Sequence, residues 1–198
     1  MAESSSSLPA SDFSQELASA LPALARLTDS DAVVLRLADT AACALGAEAV
    51  GTTGEGTIAH MRRYAGPTVG PATIWATGEG ASVEVAALRN AVAQRYLDFN
   101  DTYIGRAVTH PSDMIPALVA LAEARKLPWD RLITSVTVAY EVLCRLADQA
   151  LLGDHGFDGS TLTPIGAVAG ASWLVGLDEK RTAEALSCLL YTSPSPRD

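Results

Sequence analysis

Thr163 to Leu174 carries no charged side chain and alternates small with apolar residues, so as a helix it has no face suited to water and must be buried on all sides. A buried helix needs other helices around it, and the rest of the chain supplies them. Trp129 to Leu152 places Leu132, Ile133, Val136, Ala139, Tyr140, Leu143 and Leu146 at helical spacing. Met114 to Lys126 turns Ile115, Leu118, Val119 and Ala122 inward, and Leu127-Pro128 stops it, because proline cannot continue a helix. Upstream, Asp12 to Leu27 repeats Phe13, Leu17, Leu21 and Leu24. Asp31 to Leu45 is expected to bury Val34, Leu37, Ala38, Ala41 and Ala42, with the Asp29-Ser30-Asp31 cluster capping its start. Ala81 to Asp98 is expected to bury Val85, Leu88, Val92, Ala93 and Tyr96, with Ser82 and Glu84 near its start. Asp178 opens a last helix.

Between these segments, Gly46 to Gly56 reads as a small-residue loop and Thr57 to Tyr64 as a short helical piece. Gly66 to Gly80 is a surface excursion with one extended run, Thr73 to Ala76. Gly51-Thr-Thr-Gly-Glu-Gly lacks the Lys-Ser/Thr of a phosphate-binding loop and follows no strand, so it is taken as a plain loop. The sum is about seven helices without a sustained period-2 pattern, and the expected class is all-α. Residues 1–11 read as a Ser-rich disordered leader and residues 12–187 as the helical domain.

The formal charge of −9, with no run of Lys or Arg, argues against nucleic acid and anionic membrane surfaces as partners. No apolar run reaches the roughly 18 residues of a membrane span. Cys43, Cys144 and Cys188 are too few and too scattered for a disulfide framework or a zinc site, and a reducing cytoplasm suits them. With only His60, His110 and His155 there is little for a multi-histidine metal centre.

Chemistry concentrates in Tyr96-Leu-Asp-Phe-Asn-Asp-Thr-Tyr103 and Thr109-His-Pro-Ser-Asp113. Pro116 lacks an N–H and tolerates only a first helical turn, so Asp113 is expected to be the N-cap of the following helix, with His110-Pro111-Ser112 irregular before it. A single polar loop would then bring together carboxylates, a hydroxyl and an imidazole. That is the minimum set for abstracting a proton and expelling a hydroxyl. The same residues also suit plain capping and turn formation, and composition leaves both uses open.

Arg95-Tyr-Leu-Asp-Phe-Asn-Asp-Thr-Tyr103 with Thr109-His-Pro-Ser-Asp113 resembles the signature of the MmgE/PrpD family, which includes 2-methylcitrate dehydratase, cis-aconitate decarboxylase and iminodisuccinate epimerase. Leu35-Arg-Leu-Ala-Asp-Thr-Ala-Ala-Cys-Ala-Leu45 resembles its first helices, and Gly170 to Asp178 its small-residue helix. The resemblance implies a large helical domain joined to a smaller α/β domain that is missing here, a site without metal or organic cofactor, a small tricarboxylate substrate and a homodimer at full length. It implies catalytic roles for Asp98, Thr102 and His110, with Asp98 orienting the imidazole, and substrate contacts for Asp101 and Ser112. The His-Pro-Ser-Asp sequence and the spacing from Asp98 to His110 are closer to the methylcitrate dehydratase branch, whose chemistry belongs to propionate catabolism. Decarboxylase or epimerase chemistry on a related polycarboxylate and a non-catalytic helical paralogue are the alternatives. Related sequences often carry a second histidine after a Gly-aromatic pair, where this chain reads Gly156-Phe157-Asp158-Gly159-Ser160. His155 is then either a shifted substitute or a loop histidine.

Cys188 to Asp198 ends in a Pro/Ser run, and its codons are compatible with a sequencing-library adaptor. The expectation is a native chain interrupted near Ser187, a non-native tail over residues 188–198, and little activity from the fragment alone. An uninterrupted genomic frame across that junction would refute it.

Overall fold

Side-chain caps fix several helix boundaries in the computed structural model, which describes residues 10–51, 59–61, 69–153 and 156–192. The chain runs α1 (Ala10–Ala25), α2 (Ser30–Gly51), a hairpin of β1 (Ala72–Thr73) and β2 (Gly80–Ala81), and α3 (Val83–Tyr96). A second hairpin, β3 (Tyr103–Ile104) and β4 (Val108–Thr109), leads through a 3₁₀ turn (Pro111–Met114) into α4 (Ile115–Arg125). Then follow α5 (Trp129–Gln149), a 3₁₀ turn (Gly159–Leu162), α6 (Thr163–Val175) and α7 (Glu179–Thr192). The Asp29 carboxylate accepts from the N–H groups of Asp31 and Ala32, both at 3.1 Å, Ser82 Oγ from Val85 at 3.3 Å, and Asp178 from Arg181 at 2.8 Å. These are the capping bonds that the first turns of α2, α3 and α7 require. The fold is all-α, as expected, with two very short antiparallel hairpins added.

The charge-free segment is the buried helix: in α6 every residue but Pro164 is buried or half-buried. It packs on the Leu132, Ile133, Val136, Ala139 and Leu143 stripe of α5, with Met114, Ile115 and Leu118 completing the core. Fully burying a leucine such as Leu118, Leu143 or Leu174 contributes about 1.5–3 kcal/mol. Gly166 and Gly170 permit the close approach. A Cβ at Gly166 would lie 2.6 Å from Met114 Sδ and 2.9 Å from the Ala139 carbonyl oxygen, and one at Gly170 would lie 2.9 Å from the Ser135 carbonyl.

Two helix faces differ from expectation. In α2 the buried residues are Val33, Thr40, Cys43, Ala44, Ala47 and Glu48, whereas Val34, Ala38 and Ala42 face solvent. The segment is apolar nearly all round, so periodicity does not choose its phase. In α3 the buried residues are Ala86, Arg89, Asn90, Ala93 and Gln94, while Leu88 and Tyr96 are exposed. The cause is local: Asn90 accepts from the Trp75 N–H (3.0 Å) and donates to the Thr73 carbonyl (2.9 Å), so a buried amide holds the first hairpin. Glu123 of α4 holds the same hairpin by accepting from the Thr73 N–H at 2.7 Å.

Boundaries shift as well. Gly46 to Gly51 is the last turn of α2 rather than loop, Ala10 and Ser11 of the expected leader already belong to α1, and α7 continues without a break through Cys188 to Thr192. The extended run shortens to Ala72–Thr73 paired with Gly80–Ala81, and Trp75 to Thr77 form the turn. Residues 1–9, most of the Gly51–Gly56 loop and of the Thr57–Tyr64 piece, His155, and the tail beyond residue 192 lie outside the described residues.

Candidate active site

Helix α3 ends at Tyr96 with Leu97 as its C-cap, and Asp98 then takes φ 57°, the left-handed conformation that usually falls to glycine just past a helix. An aspartate held there marks a place where local preference gives way to something else. Arg95, one turn back, secures it: Nη1 donates to Asp98 Oδ1 at 2.8 Å and to Asn100 Oδ1 at 2.6 Å. Asn100 is buried and passes the link on, its amide donating to Ser112 Oγ at 3.3 Å.

Asp113 does not cap α4. It sits inside the 3₁₀ turn, accepts from Gln94 Nε2 at 2.7 Å, and lies 3.7 Å from Arg95 Nε. Burial raises its carboxyl pKa above the ordinary 3.8, against the lowering effects of the Gln94 bond and the Arg95 charge. The helix starts at Ile115 with Pro116 in its first turn, as the proline demands. The turn before it is already wound from Pro111, so the expected irregular stretch contracts to His110.

The second hairpin, absent from the sequence-based expectation of one loop, brings the two halves of the motif together. Tyr103 pairs with Thr109 and Ile104 with Val108, which returns His110 alongside Asp101 and Thr102. The hairpin docks on α5: the Ala107 N–H donates to the Ala147 carbonyl at 2.9 Å, and the Tyr103 hydroxyl donates to the Asp148 carboxylate at 2.9–3.0 Å. His110 Nδ1 lies 2.8 Å from the Asp101 carbonyl oxygen and 3.4 Å from Thr102 Oγ1.

Of the expected catalytic set, Thr102 and His110 therefore lie side by side, half-buried to exposed. Asp98 sits at the helix end with its carboxylate on Arg95, and the contact that orients the imidazole comes from the Asp101 carbonyl rather than from Asp98. Asp101 and Ser112, expected to contact substrate, are both engaged within the protein. Asp101 Oδ1 accepts from the Ser112 N–H and Oδ2 from the Tyr140 hydroxyl, both at 2.9 Å, and Ser112 is fully buried. Arg95, Gln94, Asn100 and Tyr140 escaped the sequence reading. The Arg95-to-Asp98 spacing of three and a tyrosine within the apolar stripe of α5, whose hydroxyl needs a partner, were the available signals. A cavity of about 150 Å³ lies beside Tyr140, lined also by Val33, Arg36, Val136 and Glu141. Among the described residues no three His, Cys, Asp or Glu side chains gather as metal ligands would.

Fold and site together define an all-α domain in which a hydroxyl and an imidazole, Thr102 and His110, lie side by side one short segment after a helix-end carboxylate, Asp98. The chain belongs to the MmgE/PrpD family, whose N-terminal domain matches residues 22–198. It is 31% identical over 103 residues to the alkylcitrate dehydratase phiI of Talaromyces stipitatus, which covers 44% of this chain and 22% of that protein. It is 29% identical over 140 residues to the mitochondrial 2-methylcitrate dehydratase of Yarrowia lipolytica, covering 62% of this chain and 27% of that protein. To the 2-methylcitrate dehydratase-like protein oryR of Aspergillus oryzae it is 29% identical over 124 residues, covering 54% and 25%. The aligned part spans about a quarter of the length of these relatives.

Proposed function

We propose that the full-length protein is a hydro-lyase that dehydrates 2-methylcitrate or a closely related alkyl-substituted citrate. The supporting observation is the hairpin-driven convergence of His110 on Thr102, one short segment after Asp98, in a chain similar to dehydratases of such citrates. In this reading a base removes the proton next to a carboxylate, the hydroxyl leaves with a proton as water, and a carbon–carbon double bond remains. His110 and Thr102 serve the proton transfers, and Asp98 with Arg95 shapes the entrance.

Loss of hydroxyl from a tricarboxylate also needs cations to hold the carboxylates, and Arg95 is engaged by Asp98 and Asn100. Further basic groups are expected from the remainder of a longer polypeptide, and the 198-residue chain by itself is expected to turn over little or nothing. Homodimerisation of the full-length protein is supported by Leu35 and Leu45 of α2, which are 62% and 50% exposed and align with Ala38 and Ala42 along one apolar row. Three scattered cysteines, too few for a disulfide framework, suit a reducing compartment such as the cytoplasm.

The test is turnover of 2-methylcitrate by the full-length protein, followed by the absorbance of the unsaturated product. His110→Gln is expected to abolish it. Unchanged turnover by that variant removes His110 from the chemistry. Binding of the citrate without any turnover would favour the non-catalytic paralogue.

A further inference from the structure

The bonds of Asp101 go beyond holding a loop together. Its three oxygens each accept from a different element: Oδ1 from the Ser112 N–H at the start of the 3₁₀ turn, Oδ2 from the Tyr140 hydroxyl in the middle of α5, and the backbone carbonyl from the His110 ring. A carbonyl oxygen can only accept, so the 2.8 Å contact requires the proton on Nδ1. Thr102 Oγ1, at 3.4 Å, is at most a weak second acceptor of the same proton. In the neutral ring the lone pair then falls to Nε2.

We infer that Tyr140 and Asp101 form a positioning pair that locks His110 as the Nδ1–H tautomer, making Nε2 the atom that exchanges a proton with substrate. The inference rests on the dehydratase reading for the role of Nε2, though not for the tautomer itself. The pair works by geometry. With both carboxylate oxygens occupied, the Asp101 side chain cannot turn, and its own carbonyl stays aimed at the ring across the hairpin. Tyr140 is suited to this use: burial and the neighbouring Asp101 push its phenol pKa far up, so it stays a donor throughout the accessible range. Asp101 acts through its carbonyl and Tyr140 through Asp101.

The experiment is long-range ¹H–¹⁵N correlation on the 198-residue chain carrying ¹⁵N-histidine, at a pH where the ring is neutral. With three histidines in the chain, His110 is assigned by the signals that vanish in His110→Gln. The expected result is a pyrrole-type Nδ1 and a pyridine-type Nε2 without averaging between them. A protonated Nε2, or shifts averaged over both tautomers, overturns the inference. Tyr140→Phe and Asp101→Asn each loosen one side of the clamp and are expected to move both nitrogens toward averaged values while far-ultraviolet circular dichroism stays at wild type. If both variants keep the wild-type nitrogen shifts, Tyr140 and Asp101 are not the positioning pair. Turnover by the full-length protein decides dehydration separately, so either idea can fail without the other.

Discussion

Gly159 lies against the strand that delivers His110. A Cβ there would overlap the Val108 carbonyl oxygen and stand 2.7 Å from the Val108 carbonyl carbon and 2.9 Å from Thr109 Cγ2. The obstacle is mostly backbone, which cannot swing aside as a flexible side chain can, so Gly159→Ala must displace β4 or its own turn. Overpacking of this kind costs about 1–3 kcal/mol, and a backbone obstacle puts it near the upper end. Alanine returns about 0.4–1 kcal/mol by restricting the unfolded chain. The net destabilisation is thus about 2 kcal/mol, which for a domain of this size lowers the melting temperature by about 4–8 °C. Thermal unfolding followed by far-ultraviolet circular dichroism measures it. Gly153→Ala is the matched control, because a Cβ there meets nothing within 4 Å. Its melting temperature is expected at or slightly above wild type. If Gly159→Ala melts together with Gly153→Ala, the contact under β4 does not constrain the hairpin and the reasoning is refuted.

Asn90→Leu leaves the Trp75 N–H and the Thr73 carbonyl without their amide partner; at about 1–3 kcal/mol for each fully buried group the two cost at most about 6 kcal/mol, and their partial burial puts the loss near about 2 kcal/mol. An unchanged urea midpoint would show that they find other partners. Asp113 has a raised folded pKa, so its effect on stability is most favourable below its ordinary 3.8 and is lost as the pH rises through the higher folded value. Asp113→Asn should flatten that part of the stability-against-pH curve while keeping an acceptor for Gln94, and urea titrations across the acid range would reveal a persisting slope if another group is responsible. At Asp98, the φ of 57° suits glycine, so Asp98→Gly is expected to be about 1 kcal/mol more stable than Asp98→Ala. Equal stabilities by chemical denaturation would mean that the turn relaxes in the variants.

Long, contrasted helices were open to inspection in the sequence. The α5 stripe, the inward residues of α4, the charge-free α6 and the caps at Asp29, Ser82 and Asp178 follow from spacing and local hydrogen-bonding chemistry alone. Phase was legible only where polar and apolar residues alternate clearly. In α2 alanines and valines surround the axis, and in α3 the inward positions are Asn90 and Gln94, polar side chains buried because they bond to a hairpin and to Asp113. Nothing in the local sequence announces such partners. The site shows the same division. Residue types marked the polar loop, and only the family resemblance singled out Asp98, Thr102 and His110 within it; Asp113 was read as a cap because capping is a local rule. Its actual partners, Gln94 and Arg95, lie 19 and 18 positions upstream on another helix. Asp101 and Ser112 were expected to contact substrate, and only the folded chain reveals that the first is bonded to Ser112 and Tyr140 and the second is buried.

The bond from Tyr140 to Asp101 spans 39 residues. Helix α5, which carries the tyrosine, is held by local hydrogen bonds, whereas a contact over that separation carries a loop-closure entropy that only docking repays. By sequence separation alone, the Tyr140 bond is expected to close after the local contacts of the hairpin. A nascent chain in which α5 is still emerging already contains His110, Thr102 and Asp98 in full. The bond that fixes Asp101 behind the ring needs Tyr140 in place as well, so the motif is complete in sequence before the clamp behind it can close.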